Sequence, residues 1–524
     1  MEEKLTLAKK QQQFDRRVFW GMALLACFLT FLVCPFSPIY RYNFEPDEIC
    51  YQIMSQGWLQ GKVPYRDLFD HKGPLSYLIY MLGLLLSGQR PIGILFVFMA
   101  INAGIFILIY RTLRLCFDPD RSLVSTLLLI TLFFIKKESL YASATKPDHF
   151  ILLMLLISEY LYVRGFKRYG AAKYNSAQAD EVSSATSVPQ VFTLKEMLII
   201  GLCCGAVFMV KLNVCIYYLA FIGFYLLWLL IRKNWKSFFS SCGMFLLGIG
   251  AVSVPFMIYF CGHHALSDFF YAYFKFNSSY AKNGGIHLLF SRPFIDEENT
   301  LIILILFVFL LLAVSVFLKT SQRRMTRIIL VLCGLVSYGM IALPEVFMYT
   351  FVLLIPLYIW GCAVLVDLIF AFISPKIMRI VFFSLTILVT VNFAVYQTIL
   401  YPSIPREVPP VEQAMDEYYE THPDSTTLFF FNRCYSFYYS KTTTVPNFQY
   451  FYIPREGPAE MYTSQMQYVR AGLPDVIAFW RPDSMDDDYM MTIDGFLEEN
   501  GYCCYFEVNE DYLTYVYVRA STLT

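Results

Sequence analysis

Apolar residues in this chain come in long unbroken blocks rather than the short periodic stripes of a soluble fold. The first block covers about 18–38, and others cover about 92–113, 122–136, 147–163, 197–210, 213–231, 237–260, 301–318, 328–343, 347–372 and 380–400. A helix of about 20 apolar residues crosses a bilayer, so the pattern predicts eleven spans. Residues 74–88 (PLSYLIYMLGLLLSG) form a block of only 15 residues and read as a re-entrant or interfacial helix on the outer side. Were that block to span, the parity of every later loop would reverse.

The pattern changes after a proline-rich exit at 401–410 (YPSIPREVPP). Strand-like runs at 427–431, 476–480, 502–508 and 513–518 then alternate with helical patterns at 411–420, 458–470 and 489–499. That alternation predicts an α/β domain. The expected architecture is therefore a polytopic α-helical membrane domain over 1–400, followed by a soluble extracytoplasmic α/β domain over 401–524. The polar stretch 169–193 reads as a flexible cytoplasmic linker.

Composition agrees with this division. The chain is 57% hydrophobic and only 16% charged, against roughly 25% charge in soluble domains, which excludes an ordinary cytosolic enzyme. Its net charge of zero hides an asymmetry: residues 1–400 hold 34 Lys/Arg against 22 Asp/Glu, and residues 401–524 hold 7 against 19. No basic patch points to nucleic acid. Lys/Arg clusters at Arg111/Arg114/Arg121, Arg164/Lys167/Arg168, Arg232/Lys233/Lys236, Lys319/Arg323/Arg324/Arg327 and Lys376/Arg379 recur at every second loop. With the basic N-terminus they place those loops in the cytoplasm and the tail outside. The first block exceeds a signal-peptide core and lacks a small-residue cleavage site, so it reads as an anchor. The 14 cysteines contain no metal-type spacing, and the halves show no internal repeat of the kind found in symmetric transporters.

Candidate chemistry collects on the outer side. Asp47 and Glu48 follow the first block, next to Pro46, which suits a first helical turn. Ile49, Ile53 and Leu59 suggest that this helix lies along the membrane surface. A partly desolvated carboxylate there suits a general base; the alternative is an acid that only favours a helix N-terminus. In Asp70-His71-Lys72, the ammonium at the mouth of an apolar segment suits a lipid phosphate, or is a snorkelling lysine. Asp148 opens another apolar block, where an acid is expected to face protein or water. Lys211 falls on the outer side against the positive-inside trend, which suits a partner anion. His263-His264 has no third ligand at metal spacing.

An acid pair after the first span, the run G-x-x-P-Y-x-D-x-x-D-H-K-G-P at 61–74, a Pro-Asp pair at Pro147-Asp148 and a lysine ending a later helix occur in order. This arrangement resembles the membrane glycosyltransferases of the protein O-mannosyltransferase and lipid A aminoarabinose transferase superfamily, the GT-C type, over roughly 18–360. The resemblance implies sugar transfer from a polyprenyl-phosphate-linked donor to a glycan, lipid or protein acceptor, with inversion at the anomeric carbon, on the periplasmic side of the inner membrane. It assigns Asp47 as general base, Glu48 as a group that positions the acceptor or supports Asp47, and Asp148 as an acid shaping the site. Lys72, with Lys211 and His71, would bind the donor phosphate. Many members have two prolines after the lysine where this chain has Gly73-Pro74. Some have an acid where His71 stands, and in relatives that acid helps hold a divalent metal. No cofactor is therefore expected from a clear ligand set. The competing readings are a transporter or flippase of a lipid-linked saccharide, and a scaffold subunit of an envelope glycan machine.

Overall fold

The computed structural model describes residues 2–39, 46–133, 145–178, 191–280, 355–370, 372–395, 410–431, 445–454, 457–481, 487–509 and 513–522. Seven helices come first: α1 (Glu2–Val33), α2 (Pro46–Leu59), α3 (Pro74–Leu86), α4 (Ile92–Arg114), α5 (Pro119–Phe133), α6 (Pro147–Gln178) and α7 (Leu194–Phe208). A broken helical stretch over Leu212–Ile231, a long helix Trp235–Gly262 and further helices at Ile355–Ile369 and Pro375–Val395 follow.

Among the described residues six helices are long and apolar enough to cross a membrane: Lys9–Val33, Ile92–Arg114, Pro147–Ala171, Leu212–Ile231, Trp235–Gly262 and Pro375–Val395. This is a multi-pass membrane protein. The blocks expected to span at 122–136 and 197–210 appear as α5 and α7, each 15 residues long, or about 22 Å at 1.5 Å per residue. The expected spans at 301–318 and 328–343, and the start of the one at 347–372, lie outside the described residues. Helix α3 has 13 residues, well short of the roughly 30 Å hydrocarbon core. One expectation needs correction at 169–193: α6 runs on to Gln178, so the first part of that stretch is helix, not linker.

Contacts divide the chain into two compact units. One comprises residues 1–34, 98–256 and 281–397; the other comprises 35–97, 257–280 and 398–524. The tail therefore groups with the segments 35–97, which carry α2 and α3, and 257–280.

In the first unit, α7 and the helix Trp235–Gly262 touch through glycines. A Cβ on Gly201 would collide with the backbone oxygen of Phe245, and one on Gly248 would come within 2.6 Å of the Gly201 carbonyl carbon. Small residues permit such close backbone approach between membrane helices. Gly201→Leu is expected to force these helices apart at a cost of about 1–3 kcal/mol, lowering the melting temperature in detergent; an unchanged melt would remove this account of the contact. At the other end of the unit, Asp118 accepts hydrogen bonds from the backbone N–H groups of Asp120 and Arg121, both 3.0 Å. That cap starts α5, and Arg121 and Asp120 then pair with Asp367 of Ile355–Ile369 and Arg379 of Pro375–Val395.

In the second unit α2 and α3 pack together. The Ser55 hydroxyl donates to the Tyr77 carbonyl at 2.8 Å, and the Tyr51 ring meets Tyr80 edge-on. Ile49, Tyr51, Gln52, Ile53 and Ser55 of α2 are all buried. Burial on several sides means that α2 is wrapped by protein, so its weak amphipathic pattern does not mark an exposed polar face.

The tail contributes a four-stranded sheet ordered β1-β2-β4-β3, with β1 (Thr427–Phe429), β2 (Val476–Arg481), β3 (Tyr502–Asn509) and β4 (Leu513–Arg519). β1 runs parallel to β2, while β2–β4 and β3–β4 are antiparallel. Leu428, Phe429, Val476, Ile477, Val516 and Val518 are wholly buried, and this apolar layer provides the burial that holds the sheet. Helices Pro410–Thr421, Ala459–Arg470 and Asp487–Glu499 accompany the strands.

Candidate active site

Pro-Asp pairs start α2, α5 and α6, the first in the second unit and the other two in the first. Pro46 begins α2 with Asp47 and Glu48 in its first turn, and Pro147 begins α6 with Asp148 in its first turn. Proline is preorganised for a first helical position, and the N-terminal end of the dipole favours a carboxylate. The sequence thus places both acids by the same local rule. Their surroundings differ.

In the second unit, Asp47 is half-buried and Glu48 is completely buried. The loop after α2 turns back towards α3 through a left-handed residue, Tyr65, with φ 72°. A bulky residue in that region needs support from its neighbours, and this one has it. Its N–H donates to the Leu68 carbonyl at 2.7 Å, its hydroxyl donates to the Lys72 carbonyl at 2.8 Å, and the ring is fully buried. Burial pushes the Tyr65 hydroxyl well above its usual range, so it stays a donor. Asp67 accepts from the Val63 N–H at 2.7 Å and from Arg66. The Arg66 hydrogen bond holds its carboxyl below the usual range.

This turn leads into Asp70-His71-Lys72. Asp70 is 2% exposed and acts as a hub. One oxygen accepts from the His71 N–H at 2.7 Å and the Tyr452 hydroxyl at 2.9 Å; the other accepts from the Tyr77 hydroxyl at 2.9 Å. The His71 ring packs on Phe276 and its Nε2 lies 3.2 Å from the half-buried Lys72 Nζ. Asp47, Asp70 and Lys72 all act on one buried thiol. Burial pushes Cys50 well above its usual range, the Asp70 charge adds to this, the Tyr452 hydrogen bond opposes it, Asp47 adds further and Lys72 opposes. Asp70, Tyr77, Tyr452, His71 and Lys72 thus form one hydrogen-bonded cluster, and the Cys50 thiol of α2 feels the charges of Asp47, Asp70 and Lys72.

In the first unit, Asp148 and Lys211 form an ion pair at 3.0 Å, with side-chain exposures of 9% and 31%. The spacing of these residues along the chain does not show that they pair, and the lysine's expected anion is in part this carboxylate. Beside them the buried His149 Nδ1 lies 2.6 Å from Asn102 Oδ1, and Asn102 donates to Thr30 Oγ1 at 3.0 Å. These bonds tie α6, α4 and α1 together. Asp148→Asn is expected to lower the melting temperature by a few degrees through loss of the pair, with Asp148→Asn/Lys211→Met recovering part of it. An unaltered melt for the single variant would show that the pair contributes nothing.

Sequence reasoning singled out Lys72 and His71 but not Asp70, Tyr77 or Tyr452. Asp70 had a visible signal, an acid beside a basic pair at the mouth of an apolar helix. Tyr452 had none, because nothing in the tail's local pattern marks one tyrosine among many. Among the described residues no three His, Cys, Asp or Glu side chains cluster as a metal site.

The model of the dolichyl-phosphate-mannose-protein mannosyltransferase family matches residues 71–176, a stretch that contains His71, Lys72 and Asp148. The structure is similar to ArnT from Cupriavidus metallidurans bound to undecaprenyl phosphate, with TM-score 0.59 and 10% identity over 95% of this chain and 97% of that one. The chain shares the fold of that ArnT. The same ArnT in its apo state gives TM-score 0.59 at 11% identity, covering 96% of this chain and 98% of that one. An Archaeoglobus fulgidus oligosaccharyltransferase in complex with zinc and sulfate gives 0.53 at 12% identity, covering 96% and 73%. No curated protein matches the chain by sequence at a significant level.

Proposed function

We propose that this protein is a glycosyltransferase that moves a sugar from a polyprenyl-phosphate-linked donor to a glycan, lipid or protein acceptor. The observation that carries this reading is the hydrogen-bonded Asp70-His71-Lys72 cluster beside α2, whose first turn holds Asp47, on a fold shared with ArnT along nearly its whole length. A carboxylate that can take a proton and an ammonium that can face a phosphate supply the two charges that such a transfer must manage.

In the reaction, Asp47 takes the proton from the acceptor hydroxyl or amine as its oxygen or nitrogen attacks the anomeric carbon. The bond from that carbon to the phosphate oxygen breaks, and the polyprenyl phosphate leaves from the opposite face, so the configuration inverts. Lys72 offsets the charge that grows on the departing phosphate, the electrostatic contribution that usually dominates such steps. His71 shapes the ammonium's surroundings from 3.2 Å. Glu48, being completely buried, supports the first turn of α2 and does not meet the acceptor. Asp148 and Lys211 would contribute an acid and a second positive charge to the same reaction. On this reading residues 1–400 form an eleven-span domain of the inner membrane with a cytoplasmic N-terminus. Residues 401–524 form the periplasmic domain, and the reaction takes place on the periplasmic side.

Purified protein in lipid nanodiscs, given a polyprenyl-phosphate-linked sugar and a mixed envelope acceptor extract, is expected to release free polyprenyl phosphate detectable by mass spectrometry. NMR of the product should show an inverted anomeric linkage. Donor recovered intact overturns the proposal; translocation of intact donor across vesicles would favour the transporter reading.

A further inference from the structure

The tail touches the loop that carries Lys72 at five places, all within the second unit. The Gln449 carbonyl accepts from the Phe69 N–H at 2.9 Å, and the Gln449 side chain donates to the Tyr65 carbonyl at 2.7 Å. Asn447 accepts from Lys62 at 2.9 Å, Tyr450 packs on Phe69 at 5.5 Å between ring centroids, and Tyr452 donates to Asp70 at 2.9 Å. Val445 closes against Gly57 on α2, where an added Cβ would lie 3.2 Å from its methyl carbon. Residues 445–452 thus run along the turn from Gly57 to Asp70 and bond it through both backbone and side chains.

The bonds differ in kind. Those of Gln449 hold backbone, so they set the path of the turn. That of Tyr452 reaches a buried carboxylate whose other oxygen is held by Tyr77 and whose neighbour's N–H it also accepts. A buried carboxylate needs such donors, because each one lost leaves charge uncompensated in a dry site. The Tyr65 and Tyr77 hydroxyls also converge on the Lys72 carbonyl, at 2.8 and 3.1 Å. Tyr77 therefore links the Asp70 carboxylate to the backbone of Lys72. A change at Tyr452 reaches the lysine through three hydrogen bonds, from Tyr452 to Asp70 and then through the Tyr77 hydroxyl, whose one proton is shared between the Asp70 carboxylate and the Lys72 carbonyl.

We infer that the 445–452 segment is a strap that fixes the phosphate-binding loop, with Tyr452 a positioning residue for Lys72 through Asp70 and Tyr77. This deepens the proposed function and rests on it for the identity of the ligand. It also gives the tail a part in the reaction without placing any tail residue on the substrate. The strap comes from far along the chain, so removing or loosening the tail domain would unsettle the donor end of the site.

The test uses full-length Tyr452→Phe, which keeps the ring and deletes only the hydroxyl. A hydrogen bond to a charged group is worth about 1.5–3 kcal/mol. The donor KM is accordingly expected to rise about tenfold, with acceptor KM unchanged and kcat falling by less. Asp70→Asn combined with Tyr452→Phe should cost less than the sum of the two single effects. A purely structural tyrosine would lower the melting temperature and leave donor KM alone at temperatures far below the melt; that outcome overturns the inference. Hydrogen exchange is the second readout and needs no substrate. Amides of residues 63–72 in Tyr452→Phe are expected to exchange about tenfold faster than in the parent, and unchanged protection also overturns it. If the parent protein transfers no sugar at all, the proposed function fails, while the exchange data still decide whether the strap holds the loop.

Discussion

Asp47→Asn is expected to leave the protein folded and inserted while transfer falls by about 10²- to 10⁴-fold, the usual worth of a positioned general base. The amide matches the carboxylate in shape and can still sit in the first turn of α2 behind Pro46, so only the proton acceptor is lost. Accessibility decides between the paired acids. Asp47 is half-buried and can be reached, whereas Glu48 is completely buried. Glu48→Gln is accordingly expected to reduce stability more than chemistry. Initial rates with saturating donor, measured alongside melting curves, separate the two. Full transfer by Asp47→Asn would remove the assignment, and a dead Glu48→Gln beside it would exchange the roles.

Lys72→Ala carries the second large effect. The backbone at this position is held by the Tyr65 and Tyr77 hydroxyls on its carbonyl, so truncating the side chain removes charge without freeing the loop. Loss of one group that stabilises the developing phosphate charge costs about 10²–10³ in kcat, and donor dependence should weaken more than acceptor dependence. Lys72→Arg restores the charge in a planar fork of different reach and is expected to recover only part of the rate. A Lys72→Ala variant with the parent's donor dependence would mean that the lysine merely reaches for headgroups.

Much of the fold could be read along the chain because membrane and sheet both impose one-dimensional patterns. Solvation by lipid forces backbone hydrogen bonds into helices, so long apolar blocks announce spans such as Ile92–Arg114 and Pro375–Val395. Alternation at 502–508 and 513–518 announced β3 and β4 for a similar reason, since side chains of a strand point to opposite faces. Helix starts were legible too: Pro46-Asp47 and Pro147-Asp148 each begin one. The burial of α2 was not, because a helix wrapped by protein on several sides has no strong periodicity to show.

What the chain's own order of residues determined is the set of elements and the identity of the chemical groups at their ends. The tertiary structure alone decided which of those groups meet. Lys211 finds Asp148 across 63 positions, and Tyr452 reaches Asp70 across 382. Local propensity acts over a few residues, while the hydrogen bonds of a buried carboxylate are satisfied by whatever donor packing brings to it. No pattern near Tyr452 encodes that encounter, and it arises only when the tail closes over the turn at Tyr65.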